Sequence, residues 1–299
     1  MPVTPLMVKE LRDKTGAGML DCKKALEASD CNIEQAIVWL REKGISKAEK
    51  KASRVAAEGL CSIVMKGNEA VIYEINSETD FVAQNDKFKA LVANVGEIII
   101  NSDAKCTDCA LAISVEDKTL KQVILEASGT IGEKLSLRRV SRVTKNDNQV
   151  FGAYKHMGGR IVSLVVLDGN NEVCAKDVAM HVAALNPQYL SHEDIPSDVV
   201  AKEREILLVQ ALEENKNAAK PKPDAIIEKM VEGRLNKNFK EVCLLEQPFV
   251  KNPDQTVGQY VASCGTKVAS FARLEVGEGI EKEVVDFAAE VALQAGLSK

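Results

Sequence analysis

Between residues 4 and 44, apolar side chains recur three and four positions apart in three short runs, the spacing that gathers them on one face of a helix. In the first run Thr4 and Pro5, a hydroxyl cap and a ring suited to the first helical position, precede Leu6, Val8 and Leu11, and Gly16 ends it. The second, MLDCKKALEA, puts Met19, Cys22, Ala25 and Leu26 on one face. The third opens at Asn32 with Gln35 three residues on, carries Ile33, Ala36, Ile37 and Leu40, and is expected to stop before Gly44. Three helices in so few residues bury little core, so the module is expected to work by offering a surface. A basic stretch of helical composition, SKAEKKASRVAAEG, follows as a linker helix whose charges read as a solvated face.

From Gly59 the period changes. LCSIVMKGNEAVIYEIN is two strand-like runs around Gly67 and Asn68, a hairpin signal. It leads into the polar stretch SETDFVAQNDK, where one ring, Phe81, directly follows Asp80, before Phe88, Leu91, Val92, Val95 and Ile99 return to helical spacing. Residues 101–122 carry mixed signals and receive no assignment; a helix is expected over about 118–134, then the strand-like LSLRRVSRV and QVFGAYKHMGGRIVSLVVLDG. AVIYEIN followed by a helix has an echo in RIVSLVVL followed by CAKDVAMHVAAL, as two similar sheet-plus-helix subdomains would produce. Beyond NPQYL, a run over 197–212 with Val200, Leu207 and Ala211 and the run DAIIEKMVEGRLNKNF with Ile226, Ile227, Met230, Leu235 and Phe239 flank NKNAAKPKP. That pattern predicts an antiparallel helical arm. KVASFARLEVGEG reads as a strand and turn, and IEKEVVDFAAEVALQAG as a closing helix with Val284, Phe287, Ala288 and Val291 on its apolar face.

The composition narrows the function without naming it. A chain of 299 residues with 45% hydrophobic content can hold roughly two packed domains. A net charge of -5 argues against a generally nucleic-acid-binding surface. No stretch approaches the roughly 20 apolar residues of a membrane span, and the start, MPVTPLMVKELRDK, is charged from residue 9, so a cytoplasmic location is expected. Eight cysteines, Cys22, Cys31, Cys61, Cys106, Cys109, Cys174, Cys243 and Cys264, are expected to be reduced packing residues. Even CTDC, the one close pair, lacks the second pair of a zinc site and the strand-to-helix setting of a redox motif, and reads as two loop cysteines.

Chemistry of the usual kinds is hard to assemble. The three histidines, His156, His181 and His192, show no catalytic-triad or metal-ligand spacing, and His181 reads as a structural histidine. Gly16 and Gly18 lack the lysine and hydroxyl of a phosphate loop and read as a tight turn, as does GEG at 277–279. No catalytic residue, metal site or cofactor is predicted. Attention passes to Phe81, which either folds under as a local staple or protrudes at the start of a helix capped by Thr79 or Asp80. A protruding Phe forgoes roughly 2 to 3 kcal/mol of burial that a partner's pocket could return.

Six blocks resemble, in order and spacing, the bacterial elongation factor Ts family: LMVKELRDKTGAGMLDCKKAL, ETDFVAQND, MHVAA, IIEKMVEGRL, QPFV and FARLEVGEGIEKEVVDFAAEV. The match runs over nearly the whole chain; residues 100–130 depart from it, and GGRIVSL carries Val162 and Ser163 where the family commonly has Gly and then an aliphatic residue. The resemblance implies an α+β fold in four parts. These are a ubiquitin-associated-like three-helix module and linker at 1–55, a core N-subdomain at 56–145, a core C-subdomain at 146–275 and a C-terminal helical module at 276–299. The C-subdomain would carry a coiled-coil arm at about 190–228, and the two core subdomains would be antiparallel sheets with helices.

The resemblance also implies a guanine nucleotide exchange factor with no covalent chemistry of its own, acting on GDP-bound and nucleotide-free elongation factor Tu. Thr79, Asp80, Phe81 and Val82 would intrude beside the partner's Mg2+, and loss of the ion that bridges the phosphates would release GDP so that GTP binds. YKHMGGR gives His156, Met157 and Gly158 a partner-binding role, with a structural role for His156 left open. Met19, Leu20 and Lys23, with the C-terminal helix, would grip the GTPase domain. No nucleic acid or membrane partner is implied. Whether the arm mediates self-association, in a homodimer or heterotetramer, or contacts the partner's far side stays open. A protein-binding adaptor with no effect on nucleotide, and an enzyme with an unseen site, are the competing classes.

Overall fold

The computed structural model describes residues 2–51, 53–217 and 222–281, with the backbone alone for 45–50. The chain folds into two compact units: the first gathers the described residues of 1–64, 73–142 and 275–299, the second those of 65–72 and 143–274.

Helix α1 (Pro5–Thr15) is capped by Thr4, whose hydroxyl accepts the Met7 N–H, and closes on Gly16 in the left-handed conformation at φ 67°. With α2 (Met19–Ala28) and α3 (Ile33–Lys50) it encloses Leu11, Cys22, Ala25, Leu26 and Ala36. Two expectations fail here. Met19 stands in the first turn of α2 and is exposed, above the buried Cys22, Ala25 and Leu26. And α3 does not stop before Gly44 to resume as a separate linker helix; it runs through in one piece. Gly44 lies against Gly129, where a Cβ would come within 2.8 Å of the Gly44 backbone. The close approach of the two helices offsets the roughly 1 kcal/mol a mid-helix glycine costs.

Strands β1 (Glu58–Lys66) and β2 (Glu69–Ser77) turn at Gly67 and Asn68, with Gly67 at φ 58°. After β2 come α4 (Asp80–Gln84), α5 (Asp86–Ile100), α6 (Thr107–Leu111), a short hairpin of β3 (Ser114–Val115) and β4 (Lys118–Thr119), α7 (Leu120–Ile131) and β5 (Ser136–Thr144). The first sheet has the order β1-β2-β5. Its central strand is buried almost end to end, and Tyr73 on it donates its hydroxyl to the Val92 carbonyl of α5, the helix that buries Phe88, Val92, Val95 and Ile99. The central strand carries a carboxylate, Glu74, which is fully buried. It is held by Arg138 (3.2 Å), Arg139 Nε (2.5 Å), Asn76 Nδ2 (2.9 Å) and the N–H of Gly277 (2.8 Å), so the GEG turn closes over a buried charge. The unassigned 101–122 stretch proves to be built of pieces of two to five residues, too short to show a period; α7 then opens with a capping box of Thr119 and Gln122.

In the second unit β6 (Gln149–His156) pairs antiparallel with β7 (Ile161–Asp168), from Gln149 opposite Asp168 to His156 opposite Ile161. Next come α8 (Glu172–Leu185), α9 (Ser197–Lys216), α10 (Asp224–Val242), β8 (Pro248–Phe249), β9 (Asn252–Thr256), α11 (Val257–Ser263) and β10 (Val268–Glu275). The sheet order is β10-β7-β6. The two echo segments therefore take the same place: β2 and β7 are each the middle strand of a three-stranded sheet, and helices follow each of them. Ser163 is buried in β7 with its hydroxyl donated to the Ala179 carbonyl of α8 at 2.6 Å.

Helices α9 and α10 pack through Leu207 and Ala211 against Ile227, Val231, Leu235 and Phe239, a stripe repeating every four residues. Val231 joins that stripe, while Ile226 faces solvent. Leu235 and Phe239 stay buried in this packing, and α10 runs to Val242. Glu214 accepts both terminal nitrogens of Arg234, at 3.1 and 2.6 Å. The predicted closing helix with Val284, Phe287, Ala288 and Val291 lies outside the described residues. Among the described residues no helix is long and apolar enough to cross a membrane.

Candidate functional site

The stretch between β2 and α4 is polar in sequence and tightly tied in structure. Thr79 leaves the strand in an extended conformation, φ -123° and ψ 156°, and its hydroxyl oxygen accepts the Val82 N–H as the cap of α4. Its backbone N–H donates to Glu133 Oε2 at 3.0 Å and its hydroxyl donates to Glu133 Oε1 at 2.6 Å. One residue earlier the exchange runs the other way, with Glu78 Oε1 accepting the Lys134 N–H at 2.6 Å and Oε2 accepting Arg54 Nη1 at 3.1 Å. Two carboxylates thus lash this turn to the turn that follows α7. Ala83 is buried beneath it and Val82 is half-buried, while Asp80 is exposed.

Phe81 is 83% exposed. The ring therefore protrudes, and the staple reading fails. Glu78, Glu133 and Lys134 were missed by sequence reasoning: Glu133 lies 54 residues from Thr79 along the chain, and no periodicity spans that gap.

His156, Met157 and Gly158 lie on the turn between β6 and β7 in the second unit, where Met157, Gly158 and Gly159 take φ of 48°, 69° and 111° in succession. His156 is exposed and its ring stacks with Tyr154, the centroids 6.1 Å apart; Met157 is 68% exposed. Nothing lies within 4 Å of a Cβ placed on Gly158, so backbone conformation and not space selects glycine there. On α2, Met19, Leu20 and Lys23 are all exposed over the first two turns, with Lys23 3.8 Å from Glu27. The predicted site residues thus stand in three clusters: on α2, at the start of α4, and on the β6–β7 turn.

The histidine of α8 is a satisfied structural residue. His181 is buried, and because its Nδ1 accepts the Val250 N–H at 3.2 Å, its Nε2 carries the proton donated to Gln247 Oε1 at 2.9 Å. Burial pushes its pKa below the usual histidine value. Among the described residues no group of three His, Cys, Asp or Glu side chains could hold a metal ion. One cysteine expectation is corrected: Cys106 and Cys109 are a disulfide, formed because the α6 turn brings their Cα atoms to 5.2 Å.

A family model described as Elongation factor TS matches residues 78–278. Elongation factor Ts of Acholeplasma laidlawii (strain PG-8A) is 54% identical over 295 residues, 98% of this chain and 99% of the relative. Elongation factor Ts of Spiroplasma citri is 52% identical over 295 residues, with the same coverage of both chains. That of Pediococcus pentosaceus is 52% identical over 294 residues, again 98% and 99%.

Proposed function

Because the chain belongs to the elongation factor Ts family, we propose that it is a guanine nucleotide exchange factor for elongation factor Tu whose working element is the turn 79–82. The observation that carries this reading is Phe81, an exposed ring on a turn held by Glu133. An aromatic ring in water on a mobile loop would lose part of its binding energy to ordering that loop; on a turn already fixed, that cost is largely met before the encounter.

The partner holds GDP together with Mg2+, which bridges phosphate oxygens and neutralises their charge. Phe81 enters an apolar pocket beside that site, and its roughly 2 to 3 kcal/mol of burial is realised only when the pocket opens. Asp80, one residue away and exposed, sets a carboxylate among the polar groups that surround the metal and weakens their hold on it. Loss of the ion leaves the phosphates uncompensated, and GDP departs. Linkage makes the effect reciprocal: the factor and the nucleotide weaken each other's binding by the same ratio, about 1.4 kcal/mol for each tenfold, so incoming GTP expels the factor. Met19, Leu20 and Lys23, with His156, Met157 and Gly158, supply grip at a distance from the nucleotide.

Stopped-flow release of fluorescent GDP from elongation factor Tu, at fixed free Mg2+, tests the reading. Release accelerates with added chain and saturates if the proposal holds. A folded chain that binds the GTPase and leaves the release rate unchanged is an adaptor, and the exchange reading is then wrong.

A further inference from the structure

The eight cysteines are of two kinds. Five of the six free thiols are buried and Cys264 is half-buried; burial pushes Cys174 up to about 12 and Cys243 up to about 11, which keeps both protonated at neutral pH. Cys106 and Cys109 are exposed, and they are bonded to each other. Their turn is fixed to β5 by contacts that do not involve the S–S bond. Thr107, between the two cysteines, accepts the Val140 N–H at 3.1 Å and donates to the Arg138 carbonyl at 3.5 Å. Just upstream, the Arg142 guanidinium donates to the carbonyls of Ser102 at 2.6 Å and Ala104 at 3.0 Å. Cys106 Sγ also caps α6, accepting the Cys109 N–H at 3.2 Å, a bond a free sulfur there can keep.

We infer that Cys106 and Cys109 form a reversible dithiol–disulfide site, open to solvent and pre-positioned by Thr107 and Arg142, that exchanges with low-molecular-weight thiols and disulfides of the glutathione class. Closure follows thiol–disulfide exchange. One thiolate of the pair attacks a sulfur of the oxidised molecule RS–SR, making a protein–S–SR bond and releasing RS⁻. The second thiolate attacks the protein sulfur of that bond, closes the ring and releases the other RS⁻. Two electrons pass from the protein to RS–SR, and the two protons of the dithiol leave with two RSH. Reopening is the same sequence reversed. The buried thiols take no part, since the core is closed to the attacking molecule.

The test equilibrates the full chain in glutathione buffers from fully reduced to fully oxidised, quenches in acid, alkylates free thiols and reads each cysteine by peptide mass. Cys106 and Cys109 should lose alkylation together in a single two-electron transition, each falling by at least about tenfold between the extremes, with the five buried cysteines unchanged. In Cys109→Ser the ring cannot close, and Cys106 should accumulate a glutathione mixed disulfide. Circular dichroism across the series confirms that the fold is constant. A pair that remains dithiol in the fully oxidised buffer overturns the proposal, as does a wild-type chain that stops at single glutathione adducts.

Discussion

Two turns of this molecule put a large apolar side chain into solvent, Phe81 at 83% and Met157 at 68% exposure, and they are held by different physics. The first is anchored by side chains from a distant segment: Glu133 accepts two hydrogen bonds from Thr79, and Glu78 returns one from Lys134. The second is local, closing the β6–β7 ladder through three successive residues at positive φ. A locally closed turn offers a contact. A turn clamped from 54 residues away has its rigidity specified separately from its exposure, as an element must if it is to push into a partner.

The widest separation between the turns should come from Phe81→Ala. Losing about 2 to 3 kcal/mol of burial in the opened state should lower the acceleration of GDP release by roughly 30- to 150-fold. Equilibrium affinity for the GTPase, read by titration, should fall much less. Normal exchange from a correctly folded variant would remove any special role for this turn.

Next is the clamp. Glu133→Ala removes both acceptors of Thr79 and should reduce exchange about tenfold, the equivalent of roughly 1.4 kcal/mol, while the thermal midpoint drops only a few degrees. Glu133→Gln retains one acceptor and should fall between. If exchange in both matches wild type, exposure alone suffices and the contrast between the turns is empty.

Met157→Ala should then cost about fivefold in affinity, near 1 kcal/mol, with the saturating release rate unchanged. At the neighbouring position Gly158→Ala should lower stability by about 1 kcal/mol, because φ 69° suits a residue without a Cβ. Gly158→Asn should recover part of it. A loss of saturating rate in either variant would give this turn the kind of role assigned to the first.

The smallest effect lies inside the second unit. His181 has a folded pKa below its unfolded value of about 6.5, so the unfolded chain takes up a proton first as the pH falls. The stability it contributes is present above that value and is lost as the pH falls through the folded pKa. The thermal midpoint should therefore decline on acidification from pH 7.5 towards 5, and His181→Gln should flatten that decline while lowering the midpoint at pH 7.5. An unchanged slope would show that another group governs it.

Much of this architecture was legible in the sequence where the signal was local. Thr4, Pro5 and Gly16 delimit α1; the stripe of Phe88, Val92, Val95 and Ile99 marks α5; and the hairpin at Gly67 and Asn68 stands where its residues put it. Errors cluster where a neighbour decides. Gly44 reads as a helix stop, and Gly129 of another helix makes it a point of contact. Met19 has helical spacing to the buried face, yet in the first turn of α2 it stands exposed. Cys106 and Cys109 looked like loop cysteines because α6 is five residues long and shows no period.

The sequence by itself determined most of the longer helices, the hairpin at Gly67 and Asn68, the polar stretch around Phe81 and the family resemblance, because caps, turns and periodicity act within a few residues. Tertiary structure alone decided that Phe81 points outward, that Glu133 holds Thr79 and that Glu74 lies buried between Arg138 and Arg139. Those outcomes depend on hydrogen bonds between groups 54 to 65 residues apart, whose geometry exists only once the sheet has brought the segments together.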